Sequence, residues 1–211
     1  EAAGLYPMGG NADQPLAFER THEVNTVFAS ANGINRGQIN DFWDEVILTP
    51  LEEDVVNALR VLSPEIERIS LKGGKEPFVP RSPIVKISTS DDPIPLRSMG
   101  EGMNRMFGIA LALVNAKDGM LLIDEVDTGL HYSVLPDLWK LIFEVAHRLN
   151  VQVFATSHSW DCIQAFQQAA DDNKDEEGVL IRLENRKDGV GAVTFDEREL
   201  AIVTREQIEV R

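Results

Sequence analysis

The run Met120-Leu121-Leu122-Ile123-Asp124-Glu125 constrains this chain more than any other segment. Four consecutive apolar residues, too few for a helix, read as a strand buried on both faces, as in parallel sheets. Two adjacent carboxylates mark the point where that strand leaves the sheet. Leu135 to Leu149 follows as an amphipathic helix, with Leu135, Leu138, Trp139, Ile142, Val145, Ala146 and Leu149 on one face. Pro136 is tolerated there because the first helical turn has unpaired N–H groups. Val151 to Ala155 reads as a second buried strand, and Ser159 to Ala170 as another helix with Ser159 at its N-cap. Strand, helix, strand, helix in that order predicts an α/β fold with a partly parallel sheet and flanking helices.

The remaining segments divide around residue 90. Residues 1 to 21 are rich in Gly, Pro, Asn and Ala and read as a loop, followed by a strand over His22 to Ala29 that ends at Asn32-Gly33. From Arg36 to Leu62 apolar residues recur at helical spacing, and Pro50 splits the stretch into two helices. Ile66 to Leu71 and Ile84 to Ser88 read as strands around a turn at Gly73 to Pro83. Residues 1–90 are thus expected to form a helical and strand lobe that packs on something else. In residues 91–211, Gly100 to Asn115 predicts a helix with its apolar face at Met103, Met106, Phe107, Ala110, Leu111 and Val114. Asp171 to Glu177 reads as a solvated acidic loop. Val179 to Leu183 and Val190 to Phe195 read as a C-terminal hairpin turned by Asp188-Gly189.

Composition narrows the function classes. A chain of 211 residues with 43% hydrophobic and 26% charged residues can bury a core, and it is not collagen-like, mostly disordered or disulfide-rich. Thirty-five acidic against twenty basic residues give a net charge of −15, which repels a phosphate backbone. No apolar run approaches the ~20 residues that span a bilayer, so no membrane partner is expected. The single cysteine, Cys162, makes no internal disulfide, which fits a cytoplasmic protein. The chain starts Glu1-Ala2-Ala3-Gly4, without methionine, which is the expectation for a truncated beginning.

Chemistry concentrates in a few places. Asp124 stands where a buried strand emerges and could hold a magnesium ion, while Glu125 could orient and deprotonate a water. The other reading of this pair is two solvated acids. Leu96-Arg97-Ser98-Met99-Gly100-Glu101-Gly102 precedes a helix, whose free N–H groups favour an anion. Taken alone, those residues read first as a plain helix start with glycine turns. Val153-Phe154-Ala155-Thr156-Ser157-His158 brings a histidine to the same sheet edge, either against a phosphate oxygen or as a helix cap. Asp127-Thr128-Gly129-Leu130-His131 is a turn directly after the carboxylates, along an interface or simply joining strand to helix.

The order and spacing of these pieces resemble the ATP-binding-cassette (ABC) class of ATPases, in the branch that includes SMC-like heads. Ser98-Met99-Gly100-Glu101 resembles the ABC signature, with Met99 in place of its first glycine and Glu101 in place of its glutamine. Leu121 to Glu125 resembles Walker B with its catalytic glutamate, and Thr128-Gly129-Leu130-His131 the D-loop, with His131 replacing an aspartate. His158 falls on the switch histidine. The wording of Gly129 to Val134 and of Ala155 to Cys162 is most similar to AAA-family proteins related to the OLD (overcoming lysogenization defect) ATPases, as is the tail Ile208-Glu209-Val210-Arg211.

The resemblance implies a P-loop NTPase head that uses ATP and Mg. Asp124 would bind the metal, Glu125 would be the general base, and His158 would contact the γ-phosphate. Ser98, Gly100 and Glu101, with Thr128, Gly129 and His131, would line the nucleotide held against a second head, so a homodimer is expected. The 211 residues contain no Gly-x-x-x-x-Gly-Lys-Ser/Thr run; Gly73-Gly74-Lys75-Glu76 is the nearest and lacks the hydroxyl residue. The chain is therefore expected to be the C-terminal portion of a head whose P-loop lobe lies elsewhere. A partner nuclease is a further candidate, and nucleic acid is a candidate partner of the complete protein that this acidic chain does not itself indicate. The alternative is a non-catalytic dimerisation or regulatory module. A metal-dependent nuclease using Asp124, Glu125 and Asp127 is disfavoured by the negative charge and the lack of a basic groove.

Overall fold

The structure, a computed structural model, describes residues 24–73, 81–172, 178–187 and 189–206. The expected N-terminal loop, the first residues of the His22 strand, most of the Gly73–Pro83 turn, the acidic loop beyond Asp172, Asp188 and the tail from residue 207 lie outside them.

Strand β1 (Thr26–Ala29) leads through a tight turn, Ser30 to Gly33, into helix α1 (Arg36–Val46). Asn35 caps α1 reciprocally with Gln38, which satisfies two N–H groups that the helix start leaves free. Helix α2 (Leu51–Leu62) begins after Pro50, with Glu52, Glu53 and Asp54 in its first turn and Arg60 in its last, matching the helix dipole at both ends. Strands β2 (Ile66–Lys72) and β3 (Ser82–Ile87) pair antiparallel, and β4 (Ile94–Pro95) adds to β3. The expected division around residue 90 thus falls between two paired strands, β3 and β4.

Leu96–Met99 forms a 3₁₀ turn before helix α3 (Glu101–Asn115). Strand β5 (Met120–Ile123), helix α4 (Leu135–Leu149), strand β6 (Gln152–Ala155) and helix α5 (Trp160–Asp172) follow in the expected alternation. Ser159 Oγ accepts from the Cys162 N–H at 3.3 Å and so caps α5. Strands β7 (Leu180–Arg186) and β8 (Gly189–Phe195) form the C-terminal hairpin. Helix α6 (Glu197–Arg205) closes the described chain behind an Asp196–Glu199 capping box.

The central sheet has the order β1-β5-β6, all parallel, with Val27, Leu121 and Val153 in register and Ala29, Ile123 and Ala155 in the next row of that face. Helix α3 packs against β1 and β5, and α1, α2 and α4 surround it. The fold is thus mixed α/β, a parallel sheet flanked by helices, with one core running through β1, β5, α1 to α4 and the β2-β3-β4 sheet.

Two expectations are corrected. The strands at 120–123 and 151–155 are not buried on both faces: Leu121 and Ile123 are buried, but Phe28 and Phe154, which flank Leu122 on the other face, are 52% and 48% exposed. An apolar run reports composition and leaves open what covers each side. Among the described residues strand β6 is also a sheet edge, where Ala155 is exposed. Helix α3 is not one-faced. Arg105 and every residue from Met106 to Val114 are buried, because sheet and helices enclose it. Among the described residues no helix is long and apolar enough to cross a membrane.

Candidate functional site

The C-terminal ends of β1, β5 and β6 converge, as open α/β sheets require of a ligand-binding edge. At the end of β5 the chain turns sharply: Glu125 adopts φ +47, a left-handed conformation that costs a residue with a Cβ about 1 kcal/mol. Three hydrogen bonds hold the turn from in front. The Glu125 N–H donates to Thr156 Oγ1 at 2.8 Å, the Thr156 hydroxyl donates to Asp124 Oδ1 at 2.8 Å, and the Val126 N–H donates to the Thr156 carbonyl at 2.9 Å. Thr156, the residue after β6, therefore binds both acidic residues at once. The Thr128 hydroxyl donates to Glu125 Oε2 at 2.9 Å.

Glu125, Asp127, Thr128, His158 and Ser159 line an open cleft of about 290 Å³. The folded chain thus brings together Glu125, Thr128 and His158, with Asp124 joined to them through Thr156. Asp127 Oδ1 is buried here without a hydrogen-bond partner among the described residues. Apart from His158, the side-chain donors lining the cleft are oxygens, which suit a hard cation. Among the described residues no group of three or more His, Cys, Asp and Glu side chains forms a metal cage. Asp124 and the cleft accordingly fit a magnesium ion that takes most of its ligands from phosphates and water, as that ion usually does.

Ser98, Gly100 and Glu101 lie apart from that cleft's lining. Gly100 caps α3 with φ +106, and no side chain caps the helix start. Its first N–H groups are therefore left for solvent or an anion. Ser98 Oγ donates to the Pro95 carbonyl at 2.6 Å. The α3 start meets the turn after Glu125 directly. A Cβ on Gly102 would stand 3.1 Å from the Gly129 carbonyl, and one on Gly129 would stand 3.5 Å from Glu101 Cγ. The Gly102 contact is tight for a Cβ, and Gly129 is constrained instead by its φ of +78. His131 accepts from the Ser133 N–H through Nδ1 and caps the 3₁₀ turn Tyr132–Val134, a bond that an aspartate carboxylate could also make.

Sequence reasoning passed over Thr156 and Arg105. The signal for Arg105 was a lone cation among the apolar residues of the Gly100–Asn115 helix, where the residue is only 6% exposed. Burial pushes its pKa down from the ordinary arginine value, and the carboxylates of Asp127, Asp124 and Glu125 oppose that shift. Cys162, beside Ser157 and Trp139, is buried and its thiol is pushed up by burial, so it is a packing residue rather than a nucleophile.

Residues 51–161, just over half of the chain, match the family described as "AAA domain, putative AbiEii toxin, Type IV TA system". An ATP/GTP phosphatase of Helicobacter pylori is 28% identical over 123 residues, which cover 56% of this chain and 31% of that protein. The chain thus spans less than a third of that relative's length. An uncharacterised protein of Methanocaldococcus jannaschii is 34% identical over 96 residues, 46% of this chain and 82% of its own length. Among solved structures, one from work on ATP-driven dimerisation and DNA-stimulated activation of SMC ATPases superposes with a TM-score of 0.54 at 14% identity, covering 82% of this chain and 99% of that one. The SMC head domain from Thermotoga maritima superposes with a TM-score of 0.50 at 15% identity, covering 80% and 53%. At such identities the likeness is one of fold.

Proposed function

The chain belongs to this AAA-domain family, and on that premise we propose that it forms the signature-to-switch part of an ATP-hydrolysing head related to the OLD ATPases. The observation that carries the reading is the Asp124–Thr156–Glu125 hydrogen-bond relay at the end of the central parallel strand, beside His158 in one cleft. Asp124, its carboxylate oriented by Thr156, would hold a magnesium ion. Bound there, the ion would supply charge neutralisation to the phosphates of ATP. Glu125 takes a proton from the water whose oxygen attacks the γ-phosphorus as the bond to the ADP oxygen breaks. Thr128 occupies Oε2 of Glu125 and leaves Oε1 to accept that proton. His158 donates to a γ-phosphate oxygen.

Ser98, Gly100 and Glu101 at the uncapped α3 start meet the nucleotide of an opposing head. Thr128, Gly129 and His131 run along the same interface, so the working unit is a dimer. The phosphate-cradling loop comes from outside these 211 residues. In this reading residues 1–90 are the lobe between that loop and the signature, and residues 91–211 carry signature, Walker B, D-loop and switch histidine. The site is cytoplasmic, and a nuclease is the kind of partner that such a head would drive. A second reading, a non-catalytic dimerisation or regulatory module, draws on Met99 and Glu101 in the signature.

Phosphate release from ATP by the full-length protein, with and without Mg²⁺, tests the proposal. The hydrolase reading expects Mg-dependent turnover that falls roughly a hundredfold in Asp124→Asn. A protein that dimerises but neither binds nor hydrolyses ATP supports the second reading.

A further inference from the structure

Arg105 is a buried cation that the proposed chemistry does not use. It projects from the second turn of α3 into the space behind the Asp124–Glu125 turn. Its Nη1 donates to the Ser30 carbonyl at 2.7 Å, and its Nη2 donates to the carbonyls of Asp124 and Glu125 at 2.8 Å each. One guanidinium thus binds the carbonyls at the ends of two neighbouring strands. Two successive carbonyls converge on one nitrogen because the chain between them turns back, and Glu125 is the residue whose φ is positive there.

We infer that Arg105 is a positioning residue: it holds the left-handed backbone of Glu125, and so aims the carboxylate that takes the water proton. The inference rests on the general-base reading of Glu125. Arg105 itself touches neither substrate nor metal. Thr156 fixes the Glu125 N–H from the front and Arg105 fixes its carbonyl from behind, so both peptide bonds that flank its Cα are clamped. With the rear clamp removed, Glu125 can relax toward an unstrained φ and swing its carboxylate off the cleft. Only the planar fork of an arginine reaches these carbonyls together, and a lysine ammonium satisfies fewer of them.

The test is steady-state ATP hydrolysis by the full-length protein carrying Arg105→Met, Arg105→Lys, Glu125→Gln and the double variants. Mispositioning of the base predicts that Arg105→Met lowers kcat by roughly ten- to a hundredfold, with KM for ATP within about twofold. Arg105→Lys recovers part of the loss. In the Glu125→Gln background the same substitutions add nothing further, because a missing base cannot be misaimed. Unchanged kcat in Arg105→Met overturns the inference. So does a full multiplicative loss in the double variant, which would mean that Arg105 acts independently of Glu125. If Arg105→Met does not fold, Arg105→Lys alone and with Glu125→Gln gives the same comparison. Turnover that Glu125→Gln leaves untouched is the distinct failure of the general-base reading itself.

Discussion

The two faces of the β1-β5-β6 sheet carry similar side chains and meet different surroundings. Val27, Leu121, Ala29 and Ile123 are at most 6% exposed under α3, whereas Phe28 and Phe154, one residue away in register, are about half exposed. Strand alternation decides which face a side chain takes and says nothing about whether a layer covers that face. Parallel sheets are ordinarily covered on both sides. Among the described residues the helical cover lies over one face, and the large aromatics stand on the other. The catalytic candidates lie at the strand ends, where both faces meet, so the covered face fixes their backbones from one side only.

Stability measurements can break this comparison. Leu121→Ala, which empties a fully buried site against α3, is expected to destabilise the 211-residue chain by about 3 kcal/mol in urea unfolding. Phe154→Ala removes a larger side chain yet is expected to cost less than about 1 kcal/mol, because water already reaches half of it. Equal losses would mean that the second face is covered after all. The smallest effect lies in the hairpin, where Arg182, Glu184 and Arg186 follow Leu180 along one row of β7. Hydrogen bonds from Arg186 and then Arg182 hold the Glu184 carboxyl below its usual range. A lowered carboxylate contributes stability that is present above its unfolded pKa and is lost as pH falls through the folded value. The thermal midpoint of Glu184→Gln should therefore drop slightly less than that of the unsubstituted chain between about pH 5 and pH 3. An identical drop would show that the arginine pair contributes nothing.

Much of this was legible in the sequence because periodicity is a local property. The Pro50 break, the α4 stripe from Leu135 to Leu149 and the Ser159 cap all follow from residues within a few turns of each other. Helix α6 was not anticipated, although the Asp196–Glu199 capping box ahead of Leu200 is its local signal. The rest depends on tertiary surroundings. The all-round burial of α3 comes from helices distant in sequence. The positive φ of Glu125 belongs to no glycine and shows only once Thr156 and Arg105 are in place. Asp124, Glu125 and His158 could be picked out one by one, but the threonine that ties the two acids together is ordinary in composition and special only by position.

Hydrolysis and nucleotide retention by the full-length protein carrying Glu125→Gln test the central assignment most directly. If Glu125 activates the water, the variant still binds ATP with Mg²⁺ while steady-state turnover falls by about a hundredfold or more. Turnover equal to that of the unsubstituted protein contradicts the assignment.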